Sequence, residues 1–223
     1  FFGGAGVSTE SGIPDFRSSD GLYNQKYKYP PEQIVSHTFF EYYTEEFYRF
    51  YRDKMIYCDA KPNKAHIALA ELERRGKLSC VITQNIDGLH QMAGSKNIFE
   101  LHGSIHRNYC LKCGKKYGLE KITGTEGIPK CDLCGGTVRP DVVLYEEGLN
   151  SEILEGSVKS LRKADVLIIG GTSLGVYPAA GLIHEFMGDK IVLINKSVTP
   201  ADKTADLIMR EPIAQVLKEA VLM

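Results

Sequence analysis

The chain has 223 residues, 43% of them hydrophobic and 25% charged, with a net charge of −1 at pH 7. This composition fits a globular protein with one good core and a small satellite, and the near-neutral charge argues against a nucleic-acid coat. No apolar run approaches the roughly 18–20 residues of a membrane span, and no signal peptide is visible, so neither a membrane partner nor export is expected.

Taken in order, Phe1-Phe2 reads as the end of a first strand whose beginning lies before residue 1. Gly3-Gly4-Ala5-Gly6-Val7-Ser8-Thr9 then reads as a glycine turn and the polar start of a helix. Glycines let backbone approach a phosphate, and a helix N-terminus supplies free N–H groups. The third glycine of a dinucleotide fingerprint is missing, so by itself the segment fits a tight turn as well as a phosphate cradle. Ile13-Pro14-Asp15-Phe16-Arg17 opens a loop rich in turn formers, which reads as a surface loop or as a lid over a ligand.

Residues 30–59 carry short aromatic-rich helices, followed by a helix from Pro62 to Arg75 with Ala65, Ala68, Leu69 and Leu72 on one face. His66 within it reads as a surface or packing histidine. Leu78 to Ile82 and Ile98 to Leu101 have strand composition and end in Thr83-Gln84-Asn85 and His102-Gly103. Between them a short helical turn is predicted, capped by Asn85 and stopped by Gly94. Both polar tips are expected on one edge of a parallel sheet.

Residues 105–139 hold Cys110, Cys113, Cys131 and Cys134 in the pattern C-x2-C-x17-C-x2-C, with few large aliphatics. The spacing is a strong zinc-ribbon signal, and four thiolates close a tetrahedral zinc, so the metal is read as structural. Cys58 and Cys80 stand alone, and unpaired thiols beside a thiolate cluster predict a reducing, cytoplasmic setting. Lys112, Lys115, Lys116, Lys121 and Lys130 read as a solvated face, because no aromatic-interleaved basic stripe accompanies them.

Strand character returns at Arg139 to Tyr145. A helix from Ser151 to Lys163, a strand ending in Gly170-Gly171-Thr172-Ser173, a helix from Pro178 to Met187, a strand ending in Asn195, a short strand at 205–209 and a helix after Pro212 follow. The alternation predicts an α/β, doubly wound parallel sheet. Its domain then comprises residues 1–30, 60–103 and 141–223. Residues 31–59 form a helical insertion and residues 104–140 a four-cysteine zinc-ribbon insertion. Five strand tips carry Gly4-Ala5-Gly6, Gln84-Asn85, His102, Thr172-Ser173 and Asn195, which together outline a nucleotide crevice.

Several of these stretches resemble the sirtuins, NAD-dependent protein lysine deacylases. They are Gly4-Ala5-Gly6-Val7-Ser8 through Gly12-Ile13-Pro14-Asp15-Phe16-Arg17, Thr83-Gln84-Asn85-Ile86-Asp87 with Leu89-His90, Leu101-His102-Gly103, the four cysteines, and Gly171-Thr172-Ser173-Leu174 with Pro178-Ala179-Ala180. The resemblance implies a large Rossmann-like domain, a smaller domain that combines the helical insertion 31–59 with the zinc ribbon 104–140, and, in the cleft between them, NAD as a consumed co-substrate and an acyl-lysine peptide. It implies attack of the acyl oxygen on the nicotinamide ribose carbon, loss of nicotinamide, and release of lysine and O-acyl-ADP-ribose. His102 is implied as the general base on a ribose hydroxyl, with Asn85 and Asp87 placing ribose and nicotinamide, and Ile86 and Phe16 lining that pocket. Arg17, Gln84, Ala5 and Thr9 are implied to hold ribose and phosphates, with Gly4, Gly6 and Asp15 in the same loop. Gly171, Thr172, Ser173 and Asn195 belong to the adenosine half and Ile213 lies near the adenine, while Val142, Val143 and Tyr145 bind the peptide. Asn85 and Asp87 also suit simple helix capping, and His102 also fits a hydrogen-bonded turn.

Two departures stand out. The family's Phe-Gly-Glu after the peptide strand reads Tyr145-Glu146-Glu147, which points to altered handling of residues flanking the lysine. The Tyr-x-x-Arg pair that holds acidic acyl groups reads Tyr48 and Tyr51, so acetyl or other uncharged acyl groups are favoured. Mono-ADP-ribosyl transfer to protein is the alternative in the same crevice. An NAD-independent zinc hydrolase is the rival of another class.

Overall fold

The computed structural model describes residues 1–16, 21 and 27–223. Its centre is a six-stranded, all-parallel sheet built from β1 (Phe2–Gly3), β2 (Val81–Thr83), β3 (Ile98–Glu100), β7 (Val166–Gly170), β8 (Lys190–Ile194) and β9 (Leu207–Met209). The order is β3-β2-β1-β7-β8-β9, so the chain winds outward from β1 in both directions. The strands are short apolar runs because helices cover both faces, leaving no polar side to alternate with.

One face packs α4 (Lys64–Arg74) and α8 (Ile213–Val221), whose Ala65, Ala68, Leu69, Ile213 and Leu217 meet Val81 and Ile194. The other packs α7 (Ser151–Lys163) and a 3-10 segment, Ala179–Glu185, through Leu161 and Leu182 onto Ile82, Ile169 and Leu193. Each fully buried aliphatic side chain contributes about 1.5–3 kcal/mol through removal from water. The core is therefore split by the sheet into two layers, which fixes the strand ends at one edge.

The smaller lobe is a three-stranded antiparallel sheet, β5 (Lys116–Tyr117), β4 (Gly103–Cys110) and β6 (Val138–Val142). It leans on three short helices, α1 (Pro31–Ile34), α2 (His37–Tyr42) and α3 (Thr44–Lys54). One core joins them: Phe39, Phe40, Phe47, Tyr48 and Tyr51 pack with Ile105, Ile122, Val138 and Leu144. The cysteine segment thus borrows its hydrophobic filling from the aromatic helices. Two small helices, α5 (Leu89–Ala93) and α6 (Glu120–Thr123), complete the chain. Among the described residues no helix is long and apolar enough to cross a membrane.

Three local expectations change. The glycine turn leads into two 3-10 turns, Ala5–Val7 and Thr9–Ser11, where the sequence predicts a helix, and Gly12 at φ +85° stops them. The predicted helix over 178–187 is the 3-10 segment, weakened by Gly181 within it. Asn85 does not cap α5, whose N-cap is Gly88 at φ +74°. The first free amide, Leu89 N–H, donates to Asp87 Oδ1 at 2.9 Å, while the Asn85 side chain turns to Ser8.

Candidate active site and metal centre

The strand order reverses between β1 and β7, and in doubly wound sheets a crevice opens at that point. The loops after these strands touch backbone to backbone there: the Gly6 N–H donates to the Gly171 carbonyl at 2.8 Å. A Cβ on Gly6 would lie 2.8 Å from Gly171 Cα, and one on Gly4 3.0 Å from Thr172 Cβ, so side chains are excluded from the junction and the backbone itself borders the crevice. Thr172 N–H donates to Asn195 Oδ1 at 3.0 Å, and Gln84 Nε2 donates to Thr172 Oγ1 at 3.0 Å. Side chains from the ends of β2, β7 and β8 are thereby locked to one another.

Beside this junction lies a closed polar network. Buried Ser8 donates through Oγ to Asp87 Oδ2 at 2.6 Å and accepts from Asn85 Nδ2 at 3.0 Å. Behind it, fully buried His66 accepts at Nδ1 from the Asn63 N–H at 3.2 Å, which leaves the ring hydrogen on Nε2, 3.4 Å from Ser8 Oγ. Burial pushes the His66 pKa down to about 4, so the imidazole is neutral at pH 7. His90, packed edge-on at 4.8 Å, is also buried and is held near 3. Asn85 and Asp87 are therefore oriented by Ser8 and His66, two residues that sequence reasoning leaves without a role. The one trace in the sequence is the Asn63-x-x-His66 spacing of a capping box, which α4 indeed forms.

His102 follows β3. Its Nδ1 lies 3.0 Å from the Gln84 carbonyl, which can only accept, so Nδ1 carries the hydrogen and Nε2 keeps its lone pair. Burial lowers its pKa below the ordinary value, against the opposing pull of the Gln84 carbonyl. At neutral pH the side chain is a positioned, uncharged base.

Ser8, Asn85, Asp87, His102 and the glycine junction border a cleft of about 930 Å³ between the two lobes, while Asn63, His66 and His90 are not among its lining residues. Gly4, Ala5, Gly6, Thr9, Asp15 and Phe16 border it from the first loops. Gln84, Asn85, Ile86, Asp87 and His102 border it from the middle. Gly171, Thr172, Ser173, Asn195 and Ile213 border it from the far half. Arg17 lies outside the described residues. NAD, the group implied by the resemblance, fits these residues: the glycine junction keeps side chains away so that a phosphate can approach the backbone closely, and the cleft lies at the upper end of the range of small-molecule sites.

The opposite wall holds Val142, Val143 and Tyr145. Val143 N–H donates to the His102 carbonyl at 3.0 Å, and Tyr145 exchanges backbone bonds with Val35 and His37, so this stretch is pinned between the lobes. Arg139 Nη2 donates to both Glu147 oxygens at 2.6 Å, and Glu147 also accepts from the Leu144 N–H. Burial opposes ionisation of Glu147, but Arg139, Leu144 and His37 outweigh it and hold its carboxyl below the usual range. Glu146 adopts φ +76°, a conformation that favours glycine, and its carboxylate accepts from Thr38 N–H at 2.8 Å at the start of α2. The cap offsets the backbone cost.

Among the described residues no cysteine lines the cleft. The Cys110, Cys113, Cys131 and Cys134 sulfurs lie within 4.8 Å of one another, with Cys110–Cys134 at 3.4 Å and Cys113–Cys131 at 3.6 Å. These separations exceed a disulfide bond by far, and they approach the edges of a tetrahedron with zinc–sulfur bonds of about 2.3 Å, roughly 3.8 Å long. The four residues fit one zinc with no open position.

A Rossmann-like sheet with a nucleotide crevice at its switch point, closed by a lobe built on four cysteines, defines a class of two-lobed nucleotide-dependent proteins. The sequence profile of the Sir2 family matches residues 4–178. The chain is 62% identical over 224 residues to an NAD-dependent protein deacetylase of Clostridium acetobutylicum, covering 99% of this chain and 91% of that one. A protein of the same name from Clostridium perfringens is 61% identical, covering 99% and 92%. Among solved structures, a Sir2 variant with deacetylated p53 peptide and 3'-O-acetyl ADP ribose superposes with a TM-score of 0.91 at 40% identity, covering 98% of this chain and 90% of that one. A Sir2–p53 peptide–NAD+ complex gives 0.85 at 40% identity, with the same coverage. The chain belongs to the Sir2 family.

Proposed function

We propose that the protein removes acetyl or other uncharged acyl groups from lysine side chains of proteins, consuming NAD and releasing nicotinamide and O-acyl-ADP-ribose. The observation that carries this reading is His102: a neutral imidazole with Nδ1 committed to Gln84 and Nε2 available in the cleft, close to a rigid Asn85–Ser8–Asp87 network. The names of the relatives support the same chemistry.

Bound NAD supplies the ribose carbon that receives the acyl oxygen as nicotinamide departs. His102 Nε2 takes the proton of a ribose hydroxyl. Asn85 and Asp87 hold the ribose and the nicotinamide amide, and Ile86 and Phe16 keep water from that pocket. Ala5, Thr9, Gln84 and Arg17 hold ribose and phosphates, with Gly4 and Gly6 in the same loop. Asp15 borders the same loop, and Gly171, Thr172, Ser173, Asn195 and Ile213 seat the adenosine half. Val142, Val143 and Tyr145 accept the peptide, and the zinc keeps the small lobe in shape without touching substrate.

The arginines near the helical wall are engaged elsewhere: Arg49 pairs with Glu46, and Arg52 donates to the Ile122 and Gly127 carbonyls. This supports a preference for uncharged acyl groups. All six cysteines are unpaired, which supports a cytoplasmic setting. Incubation with acetyl-lysine peptide, with and without NAD, and weighing of the products tests the reading.

A further inference from the structure

Strand β4 starts at Gly103, directly after His102, and its pairing with β6 breaks almost at once. Ser104 faces Asp141 and Asn108 faces Pro140, so Ile105, His106 and Arg107 have no register partner on β6. A bulge of this kind turns side chains and amides away from the ladder, and bulges recur beside active sites.

All three bulged residues reach across to the large lobe. The Ile105 N–H donates to the Ile86 carbonyl at 3.0 Å. His106 Nε2 lies 3.0 Å from the Asp87 carbonyl, and Arg107 Nη1 donates to Glu100 Oε2, at the end of β3, at 2.6 Å. A carbonyl oxygen only accepts, so His106 carries its hydrogen on Nε2. The ring also covers the next residue, Gly88, which turns at φ +74°: a Cβ there would lie 2.7 Å from His106 Cδ2. Position 88 thus needs glycine both for its backbone angle and for the imidazole beside it.

Asp87 is held on three sides as a result. Its Oδ2 accepts from the Ser8 hydroxyl, its Oδ1 from the Leu89 N–H, and its backbone carbonyl from His106. The first two donors belong to the large lobe and the third to the small one. His106 is not among the residues lining the cleft, so whatever it contributes there passes through Asp87.

We infer that His106 is a positioning residue for the reaction: from the small lobe it holds the Asp87 carbonyl and keeps Ile86 and Asp87 aligned on the nicotinamide end of NAD. This rests on the deacylase reading above and deepens it, since the lobe that carries the four cysteines then takes part in seating NAD.

The test compares the wild-type chain with His106→Phe, which fills the space without a donor, and His106→Gln, which offers an amide N–H at similar reach. KM for NAD, KM for acetyl-lysine peptide and half-inhibition by nicotinamide are read from steady-state kinetics, and ADP-ribose affinity from calorimetry, with zinc content and thermal midpoint alongside. His106→Phe is expected to raise KM for NAD and the nicotinamide half-inhibition together by about 2- to 10-fold, the worth of one neutral hydrogen bond. Peptide KM, zinc content and ADP-ribose affinity are expected to stay unchanged, because ADP-ribose lacks the nicotinamide. His106→Gln is expected to recover the wild-type values. Equal losses for NAD and ADP-ribose, an unchanged KM for NAD in folded His106→Phe, or no recovery in His106→Gln overturns the inference. In the wild type, nitrogen NMR of the His106 ring is expected to show hydrogen on Nε2. Hydrogen on Nδ1 alone overturns the inference whatever the variants do, so a poorly folding variant does not shield it. Absence of NAD-dependent turnover of acetyl peptide by the wild type would instead overturn the deacylase reading itself.

Discussion

The two lobes solve the same problem by different means. The parallel-sheet lobe buries aliphatic side chains on both faces of one sheet, and its strand ends are locked by hydrogen bonds such as Gln84 to Thr172 and Thr172 to Asn195. The small lobe has a core made of aromatics lent by α1–α3 and an end made of four sulfurs. The first lobe gains its order from aliphatic burial on both faces of a sheet, the second from a shared aromatic core closed at its far end by four thiols placed to hold a zinc. The cleft between them joins a wall of parallel-strand ends to one carried by the lobe that holds the four cysteines.

The largest expected effect breaks this contrast directly. Stripping the zinc, or replacing Cys110 and Cys113 by serine, removes binding that contributes about 10–16 kcal/mol in small zinc domains. Amide exchange should then rise sharply over 103–142 while β7 and β8 stay protected, and deacylation should vanish. Equal loss of protection in both lobes would contradict the division.

His102→Ala is next and probes chemistry without architecture. Removing a general base should lower turnover by about 10²–10⁴ with the zinc content unchanged, measured by steady-state kinetics and metal analysis. In the wild-type chain, the acid limb of activity should fall below the ordinary imidazole value of 6.5, because burial depresses the His102 pKa.

A smaller effect belongs to the large lobe alone. His66 folds with a pKa near 4 against 6.5 unfolded, so the unfolded chain takes up its proton first as pH falls. The stability this neutral ring contributes is present above pH 6.5 and is lost between 6.5 and about 4, on the order of 3 kcal/mol. His90 pushes the same way and extends the window towards 3. Urea midpoints measured across this range should fall with pH, and a flat profile would sink the assignment.

Glu146→Gly should act least. It relieves the positive φ and loses the Thr38 cap, effects of about 1 kcal/mol each that oppose one another. Folding should be nearly unchanged, while peptides with lysine or arginine beside the acyl-lysine lose affinity selectively. An unchanged peptide preference would show that this carboxylate serves only α2.

What can be read from the sequence divides along the same line. Short aliphatic runs, Pro and Gly boundaries and the C-x2-C pairs announce the parallel sheet and the metal lobe, because burial on both faces and thiolate geometry leave periodic or spaced marks. The residues at the strand tips are legible collectively. Ser8 and His66 are not, since their value comes from meeting across 58 positions of chain beside Asp87, and no local pattern encodes that contact. Asn85 has the composition of a cap but does not serve as one, because its side chain is drawn to Ser8, a tertiary competitor stronger than the local one. The glycine loop predicts a helix, but Gly12 at φ +85° allows only 3-10 turns.

The central claim is that the neutral His102, set between these two lobes, serves an acyl transfer that consumes NAD. Mass analysis of the products from acetyl-lysine peptide, run with and without NAD, tests it most directly. The account predicts free lysine peptide, nicotinamide and O-acetyl-ADP-ribose in equal amounts, and no reaction without NAD. Free acetate released in the absence of NAD, or ADP-ribose attached to the peptide, would contradict it.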